Sequence, residues 1–215
     1  ILGGANTFTG GTTVKGGVLQ GSATSLQGNI VNNAEVAFDQ GKTAGTYAGV
    51  MSGTGKLRKI GTGTLTLASA NSYSGGTSVD AGTLTTDTTG ALGTGAVSIA
   101  SGAALQFGGK ADAGPLAIAN AGTLRLQDTA SAAGATVTNA AGAQVRIDLT
   151  TTGMSIGSLG GAGDVVLGTK VLTTGALGTD NTISGAITGT TGSLVKVGAG
   201  TVSYTHLTLP TICSG

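Results

Sequence analysis

The chain has 215 residues with 42 glycines, two prolines and a formal net charge of +1 at pH 7. Its hydrophobic content of 39% and charged content of 9% exclude a disordered chain, because disordered chains are poor in apolar residues and rich in net charge. The near-neutral balance also argues against a nucleic-acid partner or an anionic membrane surface, since both need concentrated positive potential.

The first predicted element is a repeat copy at residues 5–19, which reads ANTFTGGTTVKGGVL. The same phrase recurs at residues 70–84 as ANSYSGGTSVDAGTL. LRKIGTGTL at 57–65 precedes that second copy and returns as LVKVGAGTV at 194–202, where a third copy begins. Internal repeats of this kind predict a solenoid, in which each unit is stacked on the next.

The densest basic cluster of the chain lies before this second copy and consists of Lys56, Arg58 and Lys59. We expect all three to be ordinary outward-facing strand residues. Threonine alternates with leucine immediately afterwards, at residues 64–67 and again at 83–86, and we expect rows of outward threonines there.

A finer period of about twenty residues predicts pairs of short strands in the middle of the chain. Gly82, Gly102, Gly122 and Gly142 are spaced twenty apart, and we expect them to supply positive-φ corners. A short strand precedes each glycine and an alternating apolar segment follows it. The apolar positions of these strands are, in order, Val79 and Leu84; Val97, Ile99, Leu105 and Phe107; Leu116, Ile118, Leu124 and Leu126; Val137, Val145, Ile147 and Leu149.

The alternation decides which face of each strand is buried. Leu124 and Leu126 point inward while Arg125 between them points outward, because successive side chains of a strand lie on opposite faces. Stacking turns at ~4.8 Å places Leu105, Leu124 and Val145 in one interior column. The predicted fold is all-β, a right-handed single-stranded parallel β-helix of roughly ten coils and ~50 Å.

The sequence contains few candidates for catalytic or metal-binding residues. The nine acidic residues are scattered, and the nearest approach to a pair is Asp128 with Asp148, which could stack beside Arg125 and Arg146 as a solvated polar row. Gly160–Asp164 partly matches a calcium-binding nonapeptide, yet its aspartate comes one residue too early. Polysaccharide lyases and hydrolases need clustered carboxylates, so we predict no catalytic, cofactor-binding or metal-binding residues.

The two ends of the chain depart from the pattern. Ile1 opens within a repeat and no signal peptide precedes it, so we expect the N-terminal part of the protein to be missing. Residues 204–215 abandon the repeat and resemble a translated adapter or cloning scar. This tail contains the only histidine and the only cysteine, His206 and Cys213, to which we assign no function. We therefore expect residues 1–203 to be one β-helical unit.

The phrase from Leu57 to Leu84, L-x-K-x-G-x-G-T-L-x-L-x-x-A-N-x-Y-x-G-G-T-x-V-x-x-G-x-L, resembles the passenger-associated repeat of bacterial autotransporters. Partial copies at 2–19 and 183–203 extend the resemblance, and 156–167 is similar to the spacer between such repeats. The positions that we expect to be structural in the repeats and coils are Asn6, Phe8, Gly10, Gly11, Val14, Gly17, Leu19, Lys59, Gly61, Gly63, Leu65, Leu67, Asn71, Tyr73, Gly75, Gly76, Val79, Gly82, Leu84, Gly102, Gly122 and Gly142.

The resemblance implies a Gram-negative, type V secretion route. In that route a C-terminal outer-membrane β-barrel of the same protein exports the passenger, which is displayed at the cell surface or released outside the cell. The first functional hypothesis is an adhesin-like stalk that meets a host surface, a glycan or another copy of itself. The second is a scaffold for an enzymatic module encoded upstream of Ile1. The third is a carbohydrate-active β-helix.

Overall fold

The computed structural model describes residues 1–205. Within that range the chain is all-β without a helix, and its parallel strands stack as a solenoid of about nine turns. The predicted parallel β-helix is thereby confirmed, with a turn number close to the expected ten. The right-handed sense stays a prediction. Among these residues no helix is long and apolar enough to cross a membrane.

The strands are short and follow one another closely. Their bounds are β1 (Thr12–Val14), β2 (Val18–Gly21), β3 (Ile30–Asn32), β4 (Glu35–Asp39), β5 (Gly45–Tyr47), β6 (Met51–Ser52), β7 (Lys56–Ile60), β8 (Thr64–Leu67), β9 (Thr77–Val79), β10 (Thr83–Thr86), β11 (Val97–Ile99), β12 (Ala104–Phe107), β13 (Ala117–Asn120), β14 (Thr123–Asp128), β15 (Ala132–Asn139), β16 (Gln144–Thr150), β17 (Met154–Gly161), β18 (Asp164–Gly168), β19 (Val171–Thr174), β20 (Asn181–Ile183), β21 (Ile187–Gly189), β22 (Ser193–Lys196) and β23 (Val202–Tyr204).

The strands form three sheets along the solenoid. The short sheet has the order β1-β3-β6, and the middle sheet has the order β21-β18-β16-β14-β12-β10-β8-β5. The long sheet follows the path β2-β4-β7-β9-β11-β13-β15-β17-β19-β22, with β20 and β23 beside it. Each turn from β7 to β16 contributes one strand to the long sheet and the next strand to the middle sheet. Backbone hydrogen bonds therefore run from turn to turn rather than within a turn.

The middle sheet contains the interior column that the sequence predicts. Leu84 pairs with Leu105, Leu105 with Leu124, and Leu124 with Val145. The column continues to Leu65 on β8. All five side chains are 0% exposed. Each fully buried leucine or valine contributes on the order of 1.5–3 kcal/mol to stability, so this column is a substantial part of the apolar core.

The long sheet has a second interior column of mixed character. Lys59 stands in register between Phe38 on β4 and Val79 on β9, and further along the same column Asn120 pairs with Asn139. Lys59 is 0% exposed. The expectation that it faces outward is therefore wrong. Alternation along β7 explains this burial. Leu57 and Lys59 lie on the inner face of the strand, and Lys56 and Arg58 lie on the outer face.

One register shift overturns another expectation. Between β14 and β16 the pairing moves from Arg125 opposite Arg146 to Gln127 opposite Leu149, so β16 contains one extra residue. Alternation is interrupted there, because a bulge puts two residues of one strand opposite one of the other. Leu149 is consequently 56% exposed and Thr150 takes the buried position at 2%. The prediction that Leu149 points inward is wrong.

The same shift separates the two aspartates that were expected to stack. Asp128 lies opposite Thr150 rather than opposite Asp148. Asp148 instead forms an ion pair with Arg146 of its own strand, at 2.6 Å between Oδ2 and Nη2, while Asp128 Oδ2 accepts a hydrogen bond from the Gly109 backbone amide at 3.0 Å. The two carboxylates therefore serve separate structural contacts.

The corner glycines behave as predicted with one exception. Gly82, Gly102 and Gly142 have φ of 66°, 78° and 78°, but Gly122 lies outside the positive-φ region. Glycine is required at Gly122 for space, because a Cβ there would lie 2.3 Å from the carbonyl oxygen of Ala100. The turns come too close at this corner for any side chain.

Candidate functional site

The repeat segment, residues 57–84, spans the strands β7, β8, β9 and β10 and is a structural unit of the solenoid. Its aliphatic positions line the interior. The fully buried members, each 0% exposed, are Leu57, Leu65, Leu67, Val79 and Leu84. The most regular phrase of the sequence therefore builds the core and the corners, and what the segment offers to a partner is limited to the side chains between these positions.

The corner after β7 is organised by Lys59. Its Nζ donates to the carbonyl oxygens of Ile60 and Gly61, both at 2.8 Å, and to that of Ala81 at 3.2 Å. Burial lowers the pKa of Lys59, and the neighbouring Asp39 carboxylate opposes this shift. The ammonium group is thus held inside the solenoid by three backbone carbonyls.

The two glycines of the same corner have different physical roles. Gly61 has φ of +74°, a conformation that glycine adopts without the strain of a Cβ. Gly63 is needed for close approach, since a Cβ there would lie 2.0 Å from the Thr43 carbonyl oxygen in the preceding turn. The pattern K-x-G-x-G accordingly describes one tight corner packed against its neighbour.

Asn71 and Tyr73 fix the next part of the repeat segment. Asn71 Oδ1 accepts from the Met51 amide at 2.7 Å, and its Nδ2 donates to the Ala91 carbonyl at 2.6 Å, so one side chain joins three successive turns. The hydroxyl groups of Tyr73 and Thr77 lie 2.6 Å apart. Burial raises the pKa of Tyr73 above its ordinary value. Both residues are held inside the stack.

The first repeat copy is placed differently. Asn6 donates to the Ser25 carbonyl at 2.8 Å, a bond to the following turn like that of Asn71. Phe8, however, is 44% exposed, whereas its counterpart Tyr73 is fully buried. Val14 is buried and Leu19 is partly buried against the core. The remaining glycines of the repeats divide into Gly11, Gly17 and Gly76 with positive φ and Gly10 and Gly75 without it.

The outer face of the middle sheet has an ordered row of hydroxyl groups. Thr64 lies in register with Thr83, and Thr66 with Thr85, and all four are half-buried on the outward side. Thr86, which was expected outward, is 0% exposed because it occupies the interior position next to Leu67 of the previous turn. The outward threonines of β10 are therefore Thr83 and Thr85, without Thr86.

Further along this face the hydroxyl row gives way to longer polar side chains. Gln106, Arg125 and Arg146 follow one another in register on β12, β14 and β16. Hydrogen bonding to Asp148 raises the pKa of Arg146 above its ordinary value. This polar strip has hydrogen-bond donors at a spacing of ~4.8 Å, the distance between stacked strands.

The outer face of the long sheet has a chain of ion pairs. Glu35 Oε2 is 2.9 Å from Lys56 Nζ, and Glu35 Oε1 is 3.9 Å from Arg58 Nη1. Arg58 also pairs with Asp80 of the next turn. Lys56 and Arg58 face outward, as predicted. The Lys56 and Arg58 side chains are about half exposed while that of Glu35 is 12% exposed, and the pairs neutralise these two cations.

Chemically reactive groups do not converge in the described range. No group of three or more histidines, cysteines, aspartates or glutamates is arranged there to hold a metal ion. Asp164 Oδ1 accepts from the Ala186 backbone amide at 3.1 Å and so caps the next turn. His206 and Cys213 lie outside the described residues. Within the described range the arrangement presents polar side chains and backbone edges at the surface.

Sequence reasoning missed the buried lysine, although a signal was available. The lysine of LRKIGTGTL recurs in LVKVGAGTV as Lys196. Lys196 Nζ donates to the carbonyls of Val197 and Gly198 at 2.9 and 2.8 Å, just as Lys59 does at its own corner. A cation repeated at one fixed position before two glycines indicates a local structural function.

Comparison with known proteins agrees with this repeat. The family model described as passenger-associated-transport-repeat matches residues 1–20 and 57–85. Over 201 residues the chain is 33% identical to the protein named adhesin BmaC autotransporter from Brucella suis biovar 1 (strain 1330), and the match covers 87% of the chain. The chain spans about 5% of the length of that relative. No solved protein structure matches the chain at a significant level.

Proposed function

Because this chain is a segment of an autotransporter passenger domain with passenger-associated transport repeats, we propose that it serves as a rigid display segment of an adhesin-like protein. The observation that supports this most directly is the unbroken coil-to-coil pairing of the long sheet from β2 to β22. A solenoid of about nine turns at ~4.8 Å per turn is a rod of roughly 45 Å.

The physical basis of the stiffness is the direction of the hydrogen bonds. They run between turns, and bending the rod would stretch a whole row of them on one side. The interior column is also continuous from Leu65 through Leu105 to Val145, so it joins each turn from β8 to β16 to its neighbour. A stack of this kind holds other parts of a long protein at a fixed distance from their attachment point.

The surface chemistry favours many weak polar contacts. A net charge of +1 provides no strong electrostatic steering toward a charged partner. The threonine row and the Gln106-Arg125-Arg146 strip offer donors and acceptors in a regular array. We propose a host-surface molecule, a glycan or a second copy of the chain as the partner, and the bacterial cell surface as the location. Export would use a C-terminal outer-membrane β-barrel of the same protein.

We also propose that the segment itself is not catalytic. Most of its carboxylates make structural contacts, as Asp128 does with the Gly109 amide and Asp164 with the Ala186 amide. No observation favours the scaffold for an enzymatic module or the carbohydrate-active β-helix.

A deletion experiment in the full-length protein tests the display function. Removing residues 84–104 joins Thr83 to Leu105, which occupies the same register position as Leu84, so one turn is lost and stacking is kept. Removing residues 84–93 instead breaks the register. We expect the first variant to be displayed at the cell surface at the wild-type level and the second to be displayed less, as measured by surface antibody labelling.

Adhesion, aggregation and biofilm formation are measured on the same cells. Deleting the whole of residues 1–203 is expected to lower at least one of the three at equal surface display of the remaining protein. Unchanged adhesion, aggregation and biofilm in that strain would contradict the proposed function.

A further inference from the structure

The position of Lys59 is unusual for a charged residue. Its neighbours in register are Phe38 in the turn before and Val79 in the turn after, and the side chain is 0% exposed. Placing an ammonium ion in such an apolar column is costly unless hydrogen bonds replace its hydration. The lysine therefore needs a specific set of partners, which the corner after β7 and the next turn supply together.

The partners match the donor capacity of an ammonium group. Lysine has three N–H donors and no acceptor, and Nζ of Lys59 has three carbonyl partners at 2.8, 2.8 and 3.2 Å. Ile60 and Gly61 belong to the same corner as the lysine, while Ala81 belongs to the next turn. The three oxygens converge on one point inside the solenoid, as the oxygens around a bound monovalent cation do.

Other turns provide different partners for the polar side chain in this column. Asn120 and Asn139 occupy the column of Lys59, and their Nδ2 groups donate to the carbonyls of Gln144 and Asp164 at 2.9 and 3.0 Å. These carbonyls, like that of Ala81, belong to the following turn. In these turns a polar side chain of the column donates to a backbone carbonyl of the following turn, at the first residue of β16 or β18 rather than in the corner itself.

The third repeat copy provides an independent instance. Lys196 makes both bonds to its own corner, at 2.9 and 2.8 Å, although it is exposed. Because the two local bonds form in an exposed lysine as well, the local backbone geometry of K-x-G-x-G is sufficient to direct two carbonyls at the ammonium. Lys59 differs from Lys196 in making a third bond, to the carbonyl of Ala81 in the next turn.

From these contacts we propose that the K-x-G-x-G corner is a monovalent-cation site made of backbone carbonyls, which Lys59 fills with its own tethered ammonium. The lysine thereby joins the turn of β7 to the turn of β9. The ligand of such a site is a small monovalent cation that carbonyl oxygens can bind, namely ammonium through hydrogen bonds or potassium through coordination. The proposal rests on the geometry of the corner and is independent of the proposed display function.

The first test uses the unmodified 215-residue chain. Side-chain ammonium groups of exposed lysines exchange their protons with water too fast to give ¹H–¹⁵N correlation signals at neutral pH, whereas a buried ammonium with three carbonyl partners exchanges slowly. We expect at least one protected lysine NH₃⁺ signal that disappears in Lys59→Met and persists in Lys110→Met, an exposed control. A spectrum of the folded wild type without such a signal overturns the proposal.

The second test replaces the tether by free cations. Lys59→Ala opens the corner, and we expect its thermal unfolding midpoint to fall by roughly 5 °C or more relative to the wild type. Ammonium chloride and potassium chloride should recover part of the loss, while tetramethylammonium chloride at equal concentration should not, because that ion cannot enter the corner. The wild type and Lys110→Ala should show no difference among the salts.

Two outcomes of this second test count against the site. One is a Lys59→Ala midpoint equal to that of the wild type. The other is the same midpoint of Lys59→Ala in ammonium and in tetramethylammonium. If Lys59→Ala fails to fold, the protected NH₃⁺ signal of the wild type decides the question alone.

Discussion

Leu124 and Leu149 provide the sharpest test of the stacked core, because the alternation of the sequence predicts both inward and the structure separates them. Leu124 is 0% exposed and Leu149 is 56% exposed. Shortening Leu124 to alanine removes about 2–3 kcal/mol of transfer free energy at ~0.8 kcal/mol per buried carbon. A cavity between Leu105 and Val145 adds to this, for a total loss of about 3–5 kcal/mol. Leu149→Ala should cost about 1 kcal/mol or less.

The assay is urea unfolding followed by far-ultraviolet circular dichroism, with the free energy of unfolding compared at a common slope. The expected result is a large shift of the midpoint for Leu124→Ala and a small one for Leu149→Ala. Equal losses for the two variants would refute the register shift in β16. A loss below about 1 kcal/mol for Leu124→Ala would refute the interior column itself.

Three further predictions follow from the corners and the buried polar groups. Gly63→Ala should cost about 2 kcal/mol or more in thermal unfolding, because its Cβ would lie 2.0 Å from the Thr43 carbonyl oxygen, and a neutral result would contradict that close approach. Asn120→Ala and Asn139→Ala should show a coupling of about 0.5–3 kcal/mol in a double-mutant cycle, since their side chains share a 2.8 Å hydrogen bond, whereas additive losses would exclude the coupling. Burial raises the pKa of Tyr73, so the folded protein retains a proton that the unfolded chain loses above its ordinary pKa of 10.0. The contribution of Tyr73 to stability should therefore be constant below pH 10 and fall above it, and Tyr73→Phe should reduce the loss of stability above pH 10 in pH-dependent thermal unfolding.

Much of the architecture could be predicted from the sequence because the period is so regular. The spacing of Leu84, Leu105, Leu124 and Val145 is close to one turn, and alternation within each strand assigns the face. The stacking of these residues required no knowledge beyond the repeat and the geometry of a parallel sheet. The repeat positions of residues 57–84 could be identified in the same way.

The predictions that were wrong have local causes, which the alternation of apolar and polar residues does not reveal. One extra residue in β16 reverses the faces after Ile147, and nothing in the apolar pattern marks where a bulge occurs. Lys59 is predicted outward by hydropathy, yet a corner with three inward carbonyls makes burial of its ammonium possible. Gly122 keeps the glycine spacing without the backbone conformation. In each case a contact between neighbouring turns determines whether a residue is buried or which backbone conformation it adopts. Such contacts can be seen only in the three-dimensional structure.

The direction of the backbone hydrogen bonds has a mechanical consequence. A pull along the rod loads the rows of bonds in tension between one turn and the next, so rupture begins at an end and proceeds turn by turn. Each released turn of about twenty residues lengthens the chain by roughly 65 Å, given ~3.5 Å per extended residue less the ~4.8 Å that the turn occupied. A segment of this kind would extend under force in small steps and would absorb work at each one.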